Sequence, residues 1–245
     1  MESINIKVPV VLFVFHRIDT VKMIIDSLKL VQPELIYVFA DGPRKGHNEE
    51  HLVTEVREFI DENIDWNCSV RKYYSNENLG CSKNIIRGFN KVLEENPYGI
   101  FLEDDAVPMK EFFYYCKQML SVYENDKRVN YIAGFNAVGD IDKKDDYLYT
   151  FGKTTPMSGA IATWADRWED CDFELKNWPE NRKSKRFKKY FNNNEVYKVF
   201  ANGFDDTFKR PEGEWDVQFQ HDLLDKDRVA ITPVGNLAKS YGYLE

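Results

Sequence analysis

The chain has 245 residues, 43% hydrophobic and 15% aromatic, enough to build the core of one large α/β domain or two small ones. Charged residues make up 30% with no long block of one sign, which excludes a disordered chain. The formal net charge of −8 argues against a nucleic-acid binder, which needs a basic footprint, but not against a nucleotide whose charge a metal ion meets locally.

Val8 to Phe15 is a continuous apolar run, as in a strand buried on both faces. It is far shorter than the roughly 20 residues that span a bilayer, and it lacks the charged start and cleavage site of a signal peptide. After the polar loop His16–Thr20, residues Val21, Ile24, Ile25 and Leu28 repeat at helical spacing, with Asp19 or Thr20 as the expected N-cap. Leu35 to Ala40 reads as a second strand and ends in the turn Asp41-Gly42-Pro43-Arg44. His47 to Asn63 carries Leu52, Val56, Phe59 and Ile60, an amphipathic helix with His47 and His51 on its surface. Cys68 to Tyr74 is a third strand, Asn76 to Gly80 a loop, and Ser82 to Glu95 a third helix faced by Ile85, Ile86, Phe89 and Leu93.

Tyr98 to Leu102 is the fourth strand, and it climbs into three consecutive acids, Glu103, Asp104 and Asp105. Pro108 and the aromatic helix Phe112-Phe113-Tyr114-Tyr115 follow. Strands alternating with helices predict a mostly parallel sheet, and such a sheet puts Phe15-His16-Arg17, Asp41-Gly42 and the acid triplet on one edge. Three adjacent carboxylates repel one another and lose hydration there. They are expected to need a hard divalent cation such as Mg²⁺ or Mn²⁺, which takes one or two carboxylates and fills its shell with phosphate and water. A solvated acidic turn ahead of the helix is the plain alternative.

The second half loses the alternation. Arg128 to Phe135 and Val229 to Thr232 read as strands, Phe187 to Phe200 as helical, and Glu214 to His221 as the opening of another helix. Asp140 to Asp146 is an acidic, solvated loop, and the chain runs on only briefly after Asn236-Leu237, as a short C-terminal loop. The basic stretch Lys183 to Tyr190 is a solvated helix face or a contact for an acidic acceptor or a membrane surface. Cys68, Cys81, Cys116 and Cys171 have neither metal nor redox spacing and read as free thiols, which fits a cytoplasmic setting. There is no linker, repeat or low-complexity segment, so a single domain over residues 1–245 is expected.

The first loop contains no glycine, so neither a dinucleotide fingerprint nor a phosphate-cradling loop is present. Without that cradle a bound diphosphate must have its charge met by a metal. An acid that takes a proton from an attacking hydroxyl must then stand apart from the metal. Asp216 qualifies: Trp215 beside it provides a partly apolar setting and a face on which a sugar can pack. An N-cap Asp beside a core Trp is the structural alternative, and Glu214 and the Asp205-Asp206 pair are rival bases. His16 reads as a diphosphate contact or a space-filling loop residue, and His221 as a core residue or a late metal ligand. Trp164 and Trp168 form an acceptor shelf or belong to the core.

In this order, Phe-His-Arg at 15–17, Ala-Asp-Gly-Pro-Arg at 40–44, Asn-Leu-Gly at 78–80 and Leu-Glu-Asp-Asp at 102–105 resemble a group of bacterial glycosyltransferases. The stretch Val10 to Leu120 is similar to the nucleotide-diphospho-sugar transferase (GT-A) superfamily, and the acid triplet to the Glu-Asp-Asp motif of N-acetylglucosaminyltransferase I-like enzymes. The resemblance implies an α/β GT-A fold, a mostly parallel central sheet flanked by helices. Residues 1 to about 125 would bind the nucleotide-sugar and about 126–245 the acceptor. It implies a metal-dependent transfer from a nucleotide-diphosphate donor, foremost a UDP-sugar, to an acceptor hydroxyl with inversion. A non-catalytic sugar-binding module and a sugar nucleotidyltransferase are the alternatives.

By the same resemblance Asp105 would ligate Mn²⁺ or Mg²⁺, Asp104 would meet the ribose or the metal's water shell, and Glu103 would lie towards the sugar or support the other two acids. Arg17 would reach the nucleotide, and Asp41 would accept a hydrogen bond from a uracil imide. Asn78, Gly80 and Lys83 would line base and ribose, and Asp216 would be the catalytic base. From residue type alone, Trp164 and Trp215 are the candidate acceptor platform. The implied acceptor is a carbohydrate or a lipid-linked glycan in bacterial polysaccharide synthesis, with peripheral contact at the inner face of the membrane.

Overall fold

The structure, a computed structural model, describes residues 6–136, 147–154, 159–191, 193–211 and 214–242. The acidic loop at 140–146 lies outside them.

The expected α/β architecture with a large central sheet flanked by helices is what the chain forms. Strands β1 (Val10–Val14), β2 (Leu35–Ala40), β3 (Ser69–Tyr74) and β4 (Tyr98–Glu103) alternate with helices α1 (Ile18–Val31), α2 (Glu50–Asn63) and α3 (Cys81–Glu95). A short strand β5 (Ala106–Pro108) and helix α4 (Lys110–Val122) follow, then β6 (Val129–Ala133), β7 (Tyr149–Gly152) and β8 (Ala160–Trp164). Helices α5 (Ala165–Glu169), α6 (Trp178–Asn181), α7 (Lys185–Lys189), α8 (Asn194–Lys209) and α9 (Trp215–Asp225) lead to β9 (Val229–Pro233) and β10 (Ala238–Ser240). The eight-stranded sheet has the order β3-β2-β1-β4-β8-β6-β9-β7, and a separate ribbon pairs β10 with β5. β1 to β4 are parallel, β8 is antiparallel to both neighbours, and β7 is antiparallel to β9.

The period of two in β1 decides how the layers assemble. Val10, Leu12 and Val14 enter one buried cluster with α1, α2 and α4. Val11 and Phe13 enter the other, with Phe89 of α3, Trp168 of α5, Trp178 of α6 and Phe219 of α9. Both faces are therefore covered, which is why the run is apolar throughout rather than alternating. Burying side chains of this size contributes roughly 1.5–3 kcal/mol each before entropy is counted.

Several expected boundaries shift for local reasons. Helix α1 begins at Ile18, so neither Asp19 nor Thr20 is its cap; Arg17 holds that position, and the Thr20 hydroxyl donates to the Arg17 carbonyl. It ends where Gln32 turns left-handed (φ 43°) ahead of Pro33. The helix expected over 187–200 is two, because Asn193 caps α8 by accepting from the Val196 N–H at 2.7 Å. Residues 238–240, expected as loop, form β10.

His221 is a core residue and not a metal ligand. Its ring is buried against Trp178, Phe187 and Phe204, with Nδ1 unpartnered. Burial pushes its pKa down to about 4. The unfolded chain protonates His221 near pH 6.5 while the native state resists until about 4, so stability falls with pH across that window. Between pH 6.5 and 5 the wild type should lose about 2 kcal/mol more unfolding free energy than a His221→Gln variant. Parallel pH curves from urea titrations of the two proteins would reject this.

Candidate active site

The strand order sets β2, β1 and β4 side by side with their carboxyl ends together, so the three polar loops converge. They enclose a cleft of about 390 Å³ lined by Phe15, His16, Arg17, Asp41, Arg44 and the acids Glu103 and Asp104, with Asn78, Gly80, Cys81 and Asn84 from the opposite wall.

The β2 corner is held by Asp41, which is 5% exposed. Its Oδ1 accepts from the N–H groups of Gly42 (2.9 Å) and Leu79 (2.7 Å), and its Oδ2 from that of Gly80 (3.0 Å). Asn78 Nδ2 donates to the Gly42 carbonyl at 2.9 Å, and a Cβ on Gly42 would overlap the Glu77 backbone. Arg57 closes the corner by donating to the carbonyls of Ala40, Asp41 and Ser75. The Asp41 carboxylate is thus engaged by three backbone donors that tie β2 to the loop before α3. That occupies it where a base imide was expected. Lys83 points away: it is exposed and outside the cleft lining, because the inward face of α3 is 81, 84 and 85.

Cations within the chain meet part of the triplet's charge. Asp104 is 7% exposed; its Oδ2 accepts from the Phe15 N–H at 2.9 Å and its Oδ1 from Arg17 Nη1 at 3.1 Å. Burial pushes the Asp104 pKa up, and the Phe15 N–H and Arg17 pull against it. The same Arg17 nitrogen is 3.6 Å from Asp105 Oδ2. Arg17 therefore bridges two of the acids, a partner the sequence did not reveal. Glu103 ends β4, and burial followed by the charges of Asp105, Asp216 and Asp104 raises its pKa to about 8. It accepts from the Cys81 thiol at 3.8 Å. Burial and the neighbouring carboxylates push that thiol to about 12, so it remains a donor.

Asp105 is more open than Asp104, with side-chain exposure of 27% against 10%. Among the described residues no three His, Cys, Asp or Glu side chains converge as a metal cage. The donor set fits a hard cation held by Asp105 alone, its remaining ligands coming from phosphate and water.

Asp216 lies in the first turn of α9 and is partly buried. Burial raises its pKa, and the Val217 N–H opposes this. Its charge adds to the upward pull on the Glu103 and Cys81 pKa values, and it is not among the residues that line the cleft. Of the rivals, Glu214 is exposed at the start of α9, Asp205 accepts from Trp178 Nε1 and pairs with Arg182, and Asp206 is exposed and 3.8 Å from Lys209.

The tryptophans are not open platforms. Trp164 is 1% exposed, donates Nε1–H to the Leu120 carbonyl and carries the Arg167 guanidinium over its ring. Trp168 is buried with Nε1 on Asn90. Trp215 is buried against Phe89 and Trp168. A small-residue run ahead of a tryptophan could not reveal on which side of the sheet it packs.

Arg44 and Asn84 line the cleft without having been singled out as site residues. Arg44 stacks over Phe15 and pairs with Glu49, holding that carboxylate down at about 2. Its place directly after the Asp-Gly-Pro turn was the available signal.

No protein-family model and no curated protein matches the chain. Solved structures it resembles include apo UDP-glucose pyrophosphorylase (12% identity, TM-score 0.47, covering 96% of this chain and 92% of that one). Another is glucosyl-3-phosphoglycerate synthase from Mycobacterium tuberculosis with Mn²⁺, UDP-Glc and phosphoglyceric acid (13%, 0.46, 96% and 72%). A third is a mannosyltransferase from Pyrobaculum calidifontis with GDP-Man and Mn²⁺ (12%, 0.41), of which the chain spans 44% while 64% of its own length is covered. Both glycosyltransferases and sugar nucleotidyl enzymes stand among them. Likeness this distant transfers no residue role to this chain.

Asp41→Asn turns one acceptor oxygen into a donor facing backbone N–H groups, and should lower unfolding free energy by about 1–3 kcal/mol. Urea denaturation measures it. Unchanged stability with lost uridine nucleotide binding would restore the base-reading role.

Proposed function

We propose that the chain is a GT-A-type glycosyltransferase that moves a sugar from a nucleotide-diphosphate donor, foremost a UDP-sugar, to an acceptor hydroxyl with inversion. The observation that carries this reading is the pairing of two acid groups at one sheet edge. The β4 triplet is partly neutralised by Arg17, and Asp216 in the first turn of α9, whose charge acts on Glu103, has no cationic partner among the described contacts.

The donor's diphosphate would lie at the mouth of the cleft, near Arg17 and Asp105. A divalent ion, Mn²⁺ or Mg²⁺, held there by Asp105 would supply charge neutralisation for the leaving nucleotide. Asp216 would accept the proton of the acceptor hydroxyl as its oxygen bonds to the anomeric carbon and the bond to diphosphate breaks. The raised pKa of Asp216 suits proton acceptance. In this reading residues 1–125, which supply the cleft lining, would form the donor half and residues 126–245 the acceptor half. The glycine-free loop at 15–20 favours this over nucleotidyl transfer, which must cradle a triphosphate.

For the acceptor, a carbohydrate or lipid-linked glycan in bacterial polysaccharide synthesis is the proposed class. The exposed lysines 185, 188 and 189 of α7 are compatible with contact at an anionic membrane surface. No helix of the described residues is long and apolar enough to cross a membrane.

Asp105→Ala is expected to abolish Mn²⁺-dependent UDP binding in calorimetry, and an affinity unchanged with and without the metal would remove Asp105 from that role. Asp216→Asn is expected to bind donor normally while transfer drops about 10²-fold or more, the scale of losing a general base. Near-normal turnover in that variant would exclude Asp216. Slow release of free sugar from UDP-sugar without acceptor would separate an enzyme from a binding module.

A further inference from the structure

Two glycines stand on either side of the Asp105 carboxylate. Gly159, immediately before β8, has φ +64°; a Cβ there would lie 3.1 Å from Asp105 Oδ1 and 3.1 Å from Glu103 Cβ. Gly242, just after β10, would place a Cβ on Asp105 Oδ2, closer than the 3.0 Å that real Cβ atoms keep, and 3.4 Å from its Cγ. The two sites are glycine for different reasons. Gly159 occupies the left-handed region, where any side chain is strained. Gly242 is not among the positive-φ residues, so its backbone would accept alanine, and what its Cβ would displace is the end of the Asp105 side chain.

The contact at Gly242 is set by a strand register. β10 pairs antiparallel with β5, with Ser240 opposite Ala106 and Ala238 opposite Pro108. The next residue, Tyr241, therefore reaches Asp105, and its N–H donates to the Asp105 carbonyl at 2.8 Å. The segment that holds the Asp105 backbone thus also runs beside its carboxylate. The Arg17 guanidinium lies 3.6 Å from Oδ2 and the Gly159 position bounds Oδ1. A carboxylate confined on both oxygens has few rotamers left to lose on binding a cation.

We infer that Gly242 is a positioning residue: the C-terminal segment 238–242 holds the Asp105 carboxylate in the orientation that receives the donor's divalent cation. This rests on the donor-site reading above. The predicted consequence is specific. A methyl group at 242 pushes Asp105 off its orientation, and it should do so only while Asp105 carries a carboxylate.

The test is a Gly242→Ala variant with two readouts. In calorimetry with UDP and Mn²⁺, affinity should fall at least tenfold, while metal-free UDP binding stays as in wild type. In thermal unfolding without ligand, Gly242→Ala should lower the melting temperature of the wild type but leave that of an Asp105→Ala protein unchanged, because the clashing oxygens are then gone. Wild-type affinity for Mn²⁺–UDP in Gly242→Ala would overturn the inference. So would an equal drop in melting temperature in both backgrounds, which would make residue 242 a purely structural position. Should the wild type itself fail to bind Mn²⁺–UDP, the donor-site reading and the positioning role fall together, and the ligand-free cycle still decides whether Gly242 and Asp105 are coupled.

Discussion

Everything at the carboxyl edge of this sheet answers one constraint: three consecutive carboxylates end a strand that is buried on both faces. Taking a carboxylate out of water costs several kcal/mol unless donors or cations replace the lost hydration. Each acid meets that demand differently. Asp104 uses the Phe15 N–H and Arg17, Glu103 takes the Cys81 thiol and a pKa near 8, and Asp105 stays partly in water. The three solutions draw on the β1 loop, on α3 and on the solvent side. The short three-residue loop after β1 follows from this, because Phe15 and Arg17 must both reach back across to β4.

The opposite wall obeys a similar rule. The loop before α3 has to pass close to the end of β2, and its backbone N–H groups there would otherwise be buried without partners. Asp41 supplies both oxygens to them. Gly42 permits the close approach to Glu77, and Gly80 takes φ +82° at the entrance to α3. A motif that reads as a ligand contact in sequence is therefore also what shapes the cleft.

How much of this was legible follows from the length scale of each signal. The β1 to β4 half carries apolar runs separated by helical repeats of more than ten residues, and these placed the strands, the shared edge and the triplet. Three-residue strands such as β5 and β10 have no measurable period, so the ribbon that braces Asp105 was invisible. β8 was not among the expected strands, because antiparallel insertion between β4 and β6 depends on distant partners. Trp164 and Trp215 were misplaced for a related reason: indoles suit a sugar face and a core equally well, and only packing tells them apart. Arg17 was assigned to the nucleotide because a sequence shows which charges exist but not which of them already face each other.

The floor beneath the acids sharpens what the site can accept. Phe13, Phe89 and Phe101 stack under β1 and β4, and Trp168 and Trp215 pack on Phe89. This layer lends the carboxylates no hydrogen bonds and keeps the local dielectric low, which is why Glu103 holds its proton to about pH 8 and Asp104 stays paired with Arg17. A bare diphosphate would be repelled by the acids, since Arg17 is already engaged with Asp104 and Asp105. A neutral sugar would gain little from them. Under the proposed function, a nucleotide whose charge a divalent ion already meets would suit this edge better than a bare diphosphate.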